Sequence, residues 1–395
     1  MSSRYNRMKR RKKFKKSRKK IVLLLVFIIA LGIILTINID ISQLLINQII
    51  PSNVMFLQNY NNDNEDIQGN FQAISTTDLV TISQDIISNF DISQIRQDIL
   101  IGIDDNIFNL EQIDSQGTDW IRNTVEPFAL NFDYSEIYDL RNPATLLNRF
   151  FVLNSNTGIV EEYLDIDYFL YANLNIEIDN YNPQVLIFHT HAMSEFFADS
   201  PNTYNMYYGI VGVGATLANI LRNVYGINVI HYKGVYDMVD GVVERLGAYE
   251  RIEPSIEAIL EQYPSIQLVL DLHRDGINSP RENFVTYING QPHARIMFVN
   301  GLSSINLGGV TNRLYHLPNP YIRTNLAMSF NMQMAMNERF PGLSRRTFLA
   351  AFRYINHLRP LSALVEVGMQ YNYMQDVHNA MHPLAYIIYS VLFSD

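Results

Sequence analysis

Three apolar runs of this chain end in residues that metal and acid–base chemistry use. The run VLIF is followed by His189, Thr190 and His191, with Glu195 four residues beyond the second histidine. QLVLDL carries Asp271, then His273, Arg274 and Asp275, and SALVEVG holds Glu366 between Val365 and Val367. A zinc hydrolase needs three protein ligands, a fourth position for a water whose pKa falls toward 7, and a carboxylate to take that water's proton. Two histidines, a ligand glutamate and a base glutamate meet the requirement. The chain has no cysteine, so a metal would rest on His, Asp and Glu. Disulfide frameworks, thiolate zinc fingers, iron–sulfur clusters and cysteine nucleophiles are excluded.

Singly, each signal is weak. A lone histidine is more often a satisfied polar residue than a ligand, and spacing alone would put Glu366 in an ion pair with Arg359 or Arg353. Position changes the weighting, because open α/β sheets bind their ligands beyond the carboxyl ends of the strands. A glutamate flanked by valines at such an end is partly desolvated, which raises its pKa toward the range of a general base. Arg274 and Asp275 fit contacts that orient His273 or its neighbours. His316, His357, His378 and His382 have no strand-end context and read as surface or core residues. A serine nucleophile is unsupported, since no GxSxG occurs and Ser194 lies in HAMSEF. Gly212 and Gly214 make only a GxG fragment, without the third glycine or the later acid of a dinucleotide site.

The elements that must position these residues follow from periodicity. Strands are expected at 185–188, 228–231, 267–272, 295–300 and 362–367, and helices over 212–225, 244–263, 325–339 and 374–392. Strands alternating with helices of this length predict an α/β fold: a mixed, mostly parallel sheet with helices on both faces. Residues 126–180 are mixed, with alternating stretches such as YANLNIEID before the boundary pair Asn182-Pro183. Residues 76–124 carry Ile and Leu at helical spacings behind Thr and Asp caps, and 51–75 have the composition of a solvated linker.

The amino terminus carries a different message. Residues 1–20 hold 12 of the 30 Lys and Arg and no acid, leaving 18 basic against 39 acidic residues in the remainder, a net −21. So acidic a body repels a phosphate backbone, and no nucleic-acid partner is expected. The next stretch, IVLLLVFIIALGIILTI, is 17 residues without a charge, and spans roughly 25 Å as a helix. Cations on its amino side alone predict a cytoplasmic tail (1–20), a transmembrane helix (21–39), an extracytoplasmic stalk (40–124) and an external domain (125–395). TINIDISQ offers no small-x-small cleavage site, so a removed signal peptide is disfavoured.

NPQVLIFHTHAMSEFFADS, YPSIQLVLDLHRDG, IMFVNG, LPNPYIRTNLAMSFNMQMAMNERFPGLSRR and HLRPLSALVEVG, in this order, resemble the stage II sporulation protein P family over roughly 125–392. The resemblance implies the fold of zinc-dependent N-acetylmuramoyl-L-alanine amidases, with one zinc held by His, Glu and His. It also implies a membrane anchor and cleavage of the amide between the muramic acid lactyl group and L-Ala, with cross-link cleavage in some members. The implied setting is septal peptidoglycan during engulfment, beside a membrane partner and a lytic transglycosylase. Carried over by position, His191 and His273 match the two histidine ligands and Glu366 the catalytic glutamate. Glu195 is the nearest carboxylate ligand, with Glu244, Glu250 and Glu253 as alternatives, and His189 is an alternative to His191. Arg274 or Arg359 would hold carboxylates of the peptide stem. Two other readings are a zinc peptidase acting mainly on stem peptides and a catalytically silent cell-wall scaffold.

Overall fold

A computed structural model describes residues 132–179 and 181–393 together with Phe128. The expected basic tail, membrane span and stalk lie outside the described residues, and among those described no helix is long and apolar enough to cross a membrane. The chain runs through α1 (Tyr134–Leu140), α2 (Pro143–Phe150), β1 (Phe151–Leu153), α3 (Ile166–Tyr171), β2 (Val185–Phe188), α4 (Ile210–Tyr225) and β3 (Val229–His231). It continues through a small hairpin of β4 (Met238–Val239) and β5 (Val242–Val243), α5 (Ala248–Gln262), β6 (Leu268–Asp275) and a second hairpin of β7 (Val285–Ile288) and β8 (Gln291–Ala294). Then come β9 (Ile296–Gly301), a third hairpin of β10 (Ser304–Leu307) and β11 (Val310–Arg313), α6 (Ile322–Arg339), β12 (Thr347–Ala350), β13 (Ser362–Met369) and α7 (Met374–Leu392).

Seven strands form one mixed sheet in the order β1-β12-β9-β13-β6-β2-β3. Every neighbouring pair is parallel except β9 with β13, so the mostly parallel sheet expected from the sequence is present. Its inner strands are apolar on both faces because helices cover both. Along β2, Val185 and Ile187 enter the larger core with α4, α6 and α7, whereas Leu186 and Phe188 enter a second core beneath α5. The latter helix contributes Ile252, Ile256, Ile259 and Leu260, one stripe at helical spacing.

The same alternation sorts the chemistry. On β6, Leu268, Leu270 and Leu272 face the larger core and Val269 faces α5, so the pleat sends Asp271 and His273 to the α5 side. On β13, Ala363, Val365 and Val367 belong to the larger core, and Glu366 follows Leu364 onto the opposite face. Register then pairs Glu366 with His273 across the parallel ladder. Each apolar side chain buried here is worth about 1.5–3 kcal/mol, so three polar residues on this inner face sacrifice packing.

The alternating stretch YANLNIEID, within the mixed region, makes no strand: Ile176 N–H donates to the Leu392 carbonyl, and Asn173 and Asp179 side chains accept from nearby backbone N–H groups. One expectation needs correction. The helix expected over 244–263 begins only at Ala248, after Gly247 in the left-handed region (φ 76°), because the preceding residues leave the β4–β5 hairpin.

Candidate metal centre

His191, Glu195 and His273 are all buried, and one ligand atom from each lies within 4.8 Å of the others. They arrive from two strand ends. The turn after β2 delivers His191 and then Glu195, whose main chain is pinned because its carbonyl accepts from Ile210 N–H at the start of α4, 2.9 Å. The His191 and His273 rings meet edge-on with centroids 5.2 Å apart. Tyr249, in the first turn of α5, lies edge-on to His191 and stacks on His273 at 5.7 and 6.4 Å.

Hydrogen bonding fixes Glu195 and His273. Glu195 Oε1 lies 3.2 Å from His273 Nδ1 and Oε2 accepts from Arg274 N–H at 2.9 Å. The other ring nitrogen, Nε2, is 2.8 Å from Asp271 Oδ1, an ion-pair distance whose alignment falls short of a hydrogen bond. Asp271 is itself tied to Thr190, accepting from its backbone N–H at 2.9 Å and its hydroxyl at 2.7 Å. A carboxylate behind a ligating histidine holds the ring's orientation and raises its basicity.

Electrostatics follow the same contacts. Burial opposes charge on His273, yet Asp271 and Glu195 outweigh it and raise the ring well above its usual value. Burial also works to raise Glu195, but the charge and hydrogen bond of His273, with His191 and Arg245 behind them, bring the carboxyl down to about 2. His191 is lowered to about 4, first by burial and then by His273. Glu366 is raised to about 8 by burial, with His273 opposing and Glu195 and Asp275 adding to the rise.

The residues present fit a zinc ion. His191 Nδ1 and Glu366 Oε2 are buried without hydrogen-bond partners, an arrangement that costs about 1–3 kcal/mol per atom unless something else satisfies it. Two imidazoles and one carboxylate with no thiolate form a donor set that zinc takes in hydrolytic sites.

The remaining expected residues are distributed differently. His189 turns away from the cluster: its Nδ1 is 2.9 Å from the Leu272 carbonyl and its Nε2 2.8 Å from His231 Nε2. Glu244 and Glu250 are exposed, and Glu253 pairs with Arg353 at 2.7 Å and His357 at 3.1 Å, so none of these three joins the cluster. Arg274 donates through Nε to the Phe196 carbonyl at 2.9 Å and through Nη2 to the Ser194 carbonyl at 3.2 Å, bracing the Glu195 turn. Asp275 pairs with Arg345 at 2.8 Å. Arg359 lies beyond the amino end of β13, its guanidinium on the Leu260 carbonyl. From Ser362 to Glu366 the strand rises roughly 13 Å, which removes Arg359 from any role at the cluster.

Sequence reasoning missed Tyr249, Asp237 and Arg245. Arg245 donates to Glu195 Oε1 at 2.9 Å and to Ser194 Oγ at 3.0 Å. Fully buried Asp237 accepts from Met193 N–H at 3.1 Å and from the Ser194 hydroxyl at 2.6 Å. No periodicity marks Asp237 and Arg245, which sit on irregular chain around β4 and β5, and Tyr249 lies in the first turn of α5, where an aromatic residue reads as packing.

The chain matches the Stage II sporulation protein P (SpoIIP) family over residues 135–389 and belongs to that family. No curated protein matches it. Similar solved structures include the N-acetylmuramoyl-L-alanine amidase AmiC2 of Nostoc punctiforme, at 13% identity over 54% of this chain and 98% of that one, TM-score 0.31. Another is the CwlD amidase from Clostridioides difficile in complex with the GerS lipoprotein, at 10% identity over 52% and 95%, TM-score 0.33. A third is product-bound Csd4 from Helicobacter pylori, at 13% identity over 54% and 53%, TM-score 0.27.

Proposed function

We propose that this protein is a membrane-anchored peptidoglycan hydrolase of sporulation, a zinc-dependent N-acetylmuramoyl-L-alanine amidase that cuts the lactyl–L-Ala amide. The observation that carries the reading is the convergence of His191, Glu195 and His273 within 4.8 Å, with Glu366 paired to His273 on the neighbouring strand. Membership of the SpoIIP family supplies the setting of sporulation. The basic tail and the apolar stretch after it support an anchor with residues 1–20 in the cytoplasm and the hydrolase outside. Engulfment partners, a membrane protein and a lytic transglycosylase, follow from the family resemblance.

In this reading His191, Glu195 and His273 hold the zinc, and Asp271 and Arg274 keep two of those ligands in place. Zinc bound there would polarise the scissile carbonyl and acidify a water. Glu366 accepts the water's proton on its carboxylate and returns it to the departing amine of L-Ala. Its raised pKa suits a group that must both take and give a proton, and a nearby dication would draw that value down toward neutrality. Tyr249 walls the cluster and keeps bulk water from the ligand histidines.

The test is metal content of the full chain purified in detergent, followed by digestion of sacculi with and without chelator. About one zinc per chain and chelator-sensitive release of free stem peptides are expected. Fragments cut only within the stem would make the protein a zinc peptidase. Absence of zinc together with wall binding but no cleavage would make it a scaffold.

A further inference from the structure

The arginines around the cluster differ in what their guanidinium groups have left to do. Arg274 is committed to the Phe196 and Ser194 carbonyls, and Arg353 to Glu253. Arg345 is 17% exposed, pairs with Asp275 and lies over the Phe284 ring at 4.6 Å. Arg245 is different: its side chain is 46% exposed, yet Nη2 sits 2.9 Å from the buried Glu195 Oε1. It thus joins solvent to a candidate metal ligand.

Its placement is built rather than incidental. Ser194, which accepts from Arg245, donates to buried Asp237. Asp237 also accepts Glu244 N–H through its carbonyl at 2.8 Å. Arg251 clamps the other side, donating to the Tyr236 carbonyl at 2.7 Å, the Leu246 carbonyl at 2.9 Å and the Glu244 carbonyl. Apolar packing does not explain this care, since Val242 is 67% and Leu246 86% exposed. What the clamps fix is one forked cation at the edge of the cluster, with donors beyond the two already engaged.

We infer that Arg245 reads the carboxylate of the second stem residue, selecting peptide stems whose residue after L-Ala keeps a free α-carboxylate over those in which it is amidated. The inference rests on the amidase reading. With the scissile carbonyl at the cluster, the next carboxylate lies about two residue lengths away, roughly 7 Å of extended chain. A guanidinium fork matches a carboxylate with two parallel hydrogen bonds, which a carboxamide cannot accept equally. A cation already held in position loses little side-chain freedom on binding.

The experiment uses the full chain with E366Q, loaded with zinc, and calorimetric binding of two soluble muramyl tripeptides that differ only in carboxylate or carboxamide at the second residue. The carboxylate form should bind about tenfold tighter or more. R245Q added to that background should bring the carboxylate form to the affinity of the carboxamide and leave the latter within about twofold, with zinc content unchanged. R245K keeps a positive charge beside Glu195, guards against loss of folding, and should recover only part of the preference. Equal binding of both ligands by the zinc-loaded E366Q chain would overturn the inference and leave the zinc reading standing. Zinc loss from R245Q and R245K alike, or equal weakening of both ligands, would make Arg245 a support for Glu195 alone. A parent chain that takes up no zinc and binds neither ligand would overturn the amidase reading, and this inference with it.

Discussion

Two buried histidine pairs sit at adjacent strand ends with nearly the same geometry. His189 and His231 have ring centroids 5.1 Å apart at 79°, and His191 and His273 are 5.2 Å apart at 81°. Their surroundings separate them. Burial and the second ring push His189 well below its usual pKa, whereas Asp271 and Glu195 lift His273 well above. The first pair is spent on a mutual hydrogen bond and the Leu272 carbonyl. Around the second pair, Glu195 and Asp271 gather carboxylates that a cation can answer, with Glu366 beside them. Carboxylates, more than histidines, distinguish a metal centre from a polar core pair.

The largest effect that bears on this contrast is expected from Glu366→Gln, which should keep zinc and lose about 10³-fold or more of sacculus-digesting rate. Normal digestion by that variant would remove Glu366 as the base. Next, His273→Ala should lose zinc and activity together, while His189→Ala should keep its zinc and lose about 1–3 kcal/mol of stability by stranding hydrogen-bond partners. Metal analysis beside urea unfolding separates the two pairs, and zinc loss from His189→Ala would erase the distinction.

A fifth buried histidine calibrates the others by pH. His378, bonded to Thr216 Oγ1 at 2.8 Å, is lowered to about 4 chiefly by burial. Between about 6.5 and 4 the unfolded chain therefore binds the proton that the folded one refuses, so stability is retained above that window and lost as pH falls through it. The cost is up to about 3 kcal/mol. In chelator-treated protein, His378→Gln should unfold with a shallower dependence on pH than wild type across this range, and parallel curves would contradict the assignment.

The smallest effect tests packing beneath the first pair. A Cβ on Gly214 would lie 2.5 Å from His189 Nε2 and 2.8 Å from His231 Nε2. Gly214→Ala should thus cost about 1–3 kcal/mol despite the better helix propensity of alanine, with zinc content untouched. A stabilised variant would mean that the pair can shift aside.

Much of this site was legible before any coordinates, for a physical reason. Runs such as VLIF and QLVLDL are short and apolar between helical stretches, which favours strands covered on both faces, and the carboxyl-end rule then directs attention to His191, His273 and Glu366. Glu195 remained one of four glutamates, because the turn between His191 and α4 has no periodicity from which to compute direction. Arg245 was invisible for a related reason: β4 and β5 are two residues each, and their valines face solvent. Some signals were present and unused. Asn289-Gly290, with φ of 51° and 76°, turns the β7–β8 hairpin, and that dipeptide between alternating residues is a strong hairpin mark. The edge strand FVL and its neighbour TFLA are too short for any alternation to stand out.

The hydrogen bond from Phe128 N–H to the Ser390 carbonyl has a mechanical consequence. Met374, at the opposite end of α7, donates to Asp199, four residues past Glu195, and the 19 residues of that helix measure roughly 28 Å. Phe128 is therefore fastened at the end of α7 opposite the one that meets Asp199. A pull applied at Phe128 would load the last turn of α7 at Ser390 rather than the turn that carries Glu195.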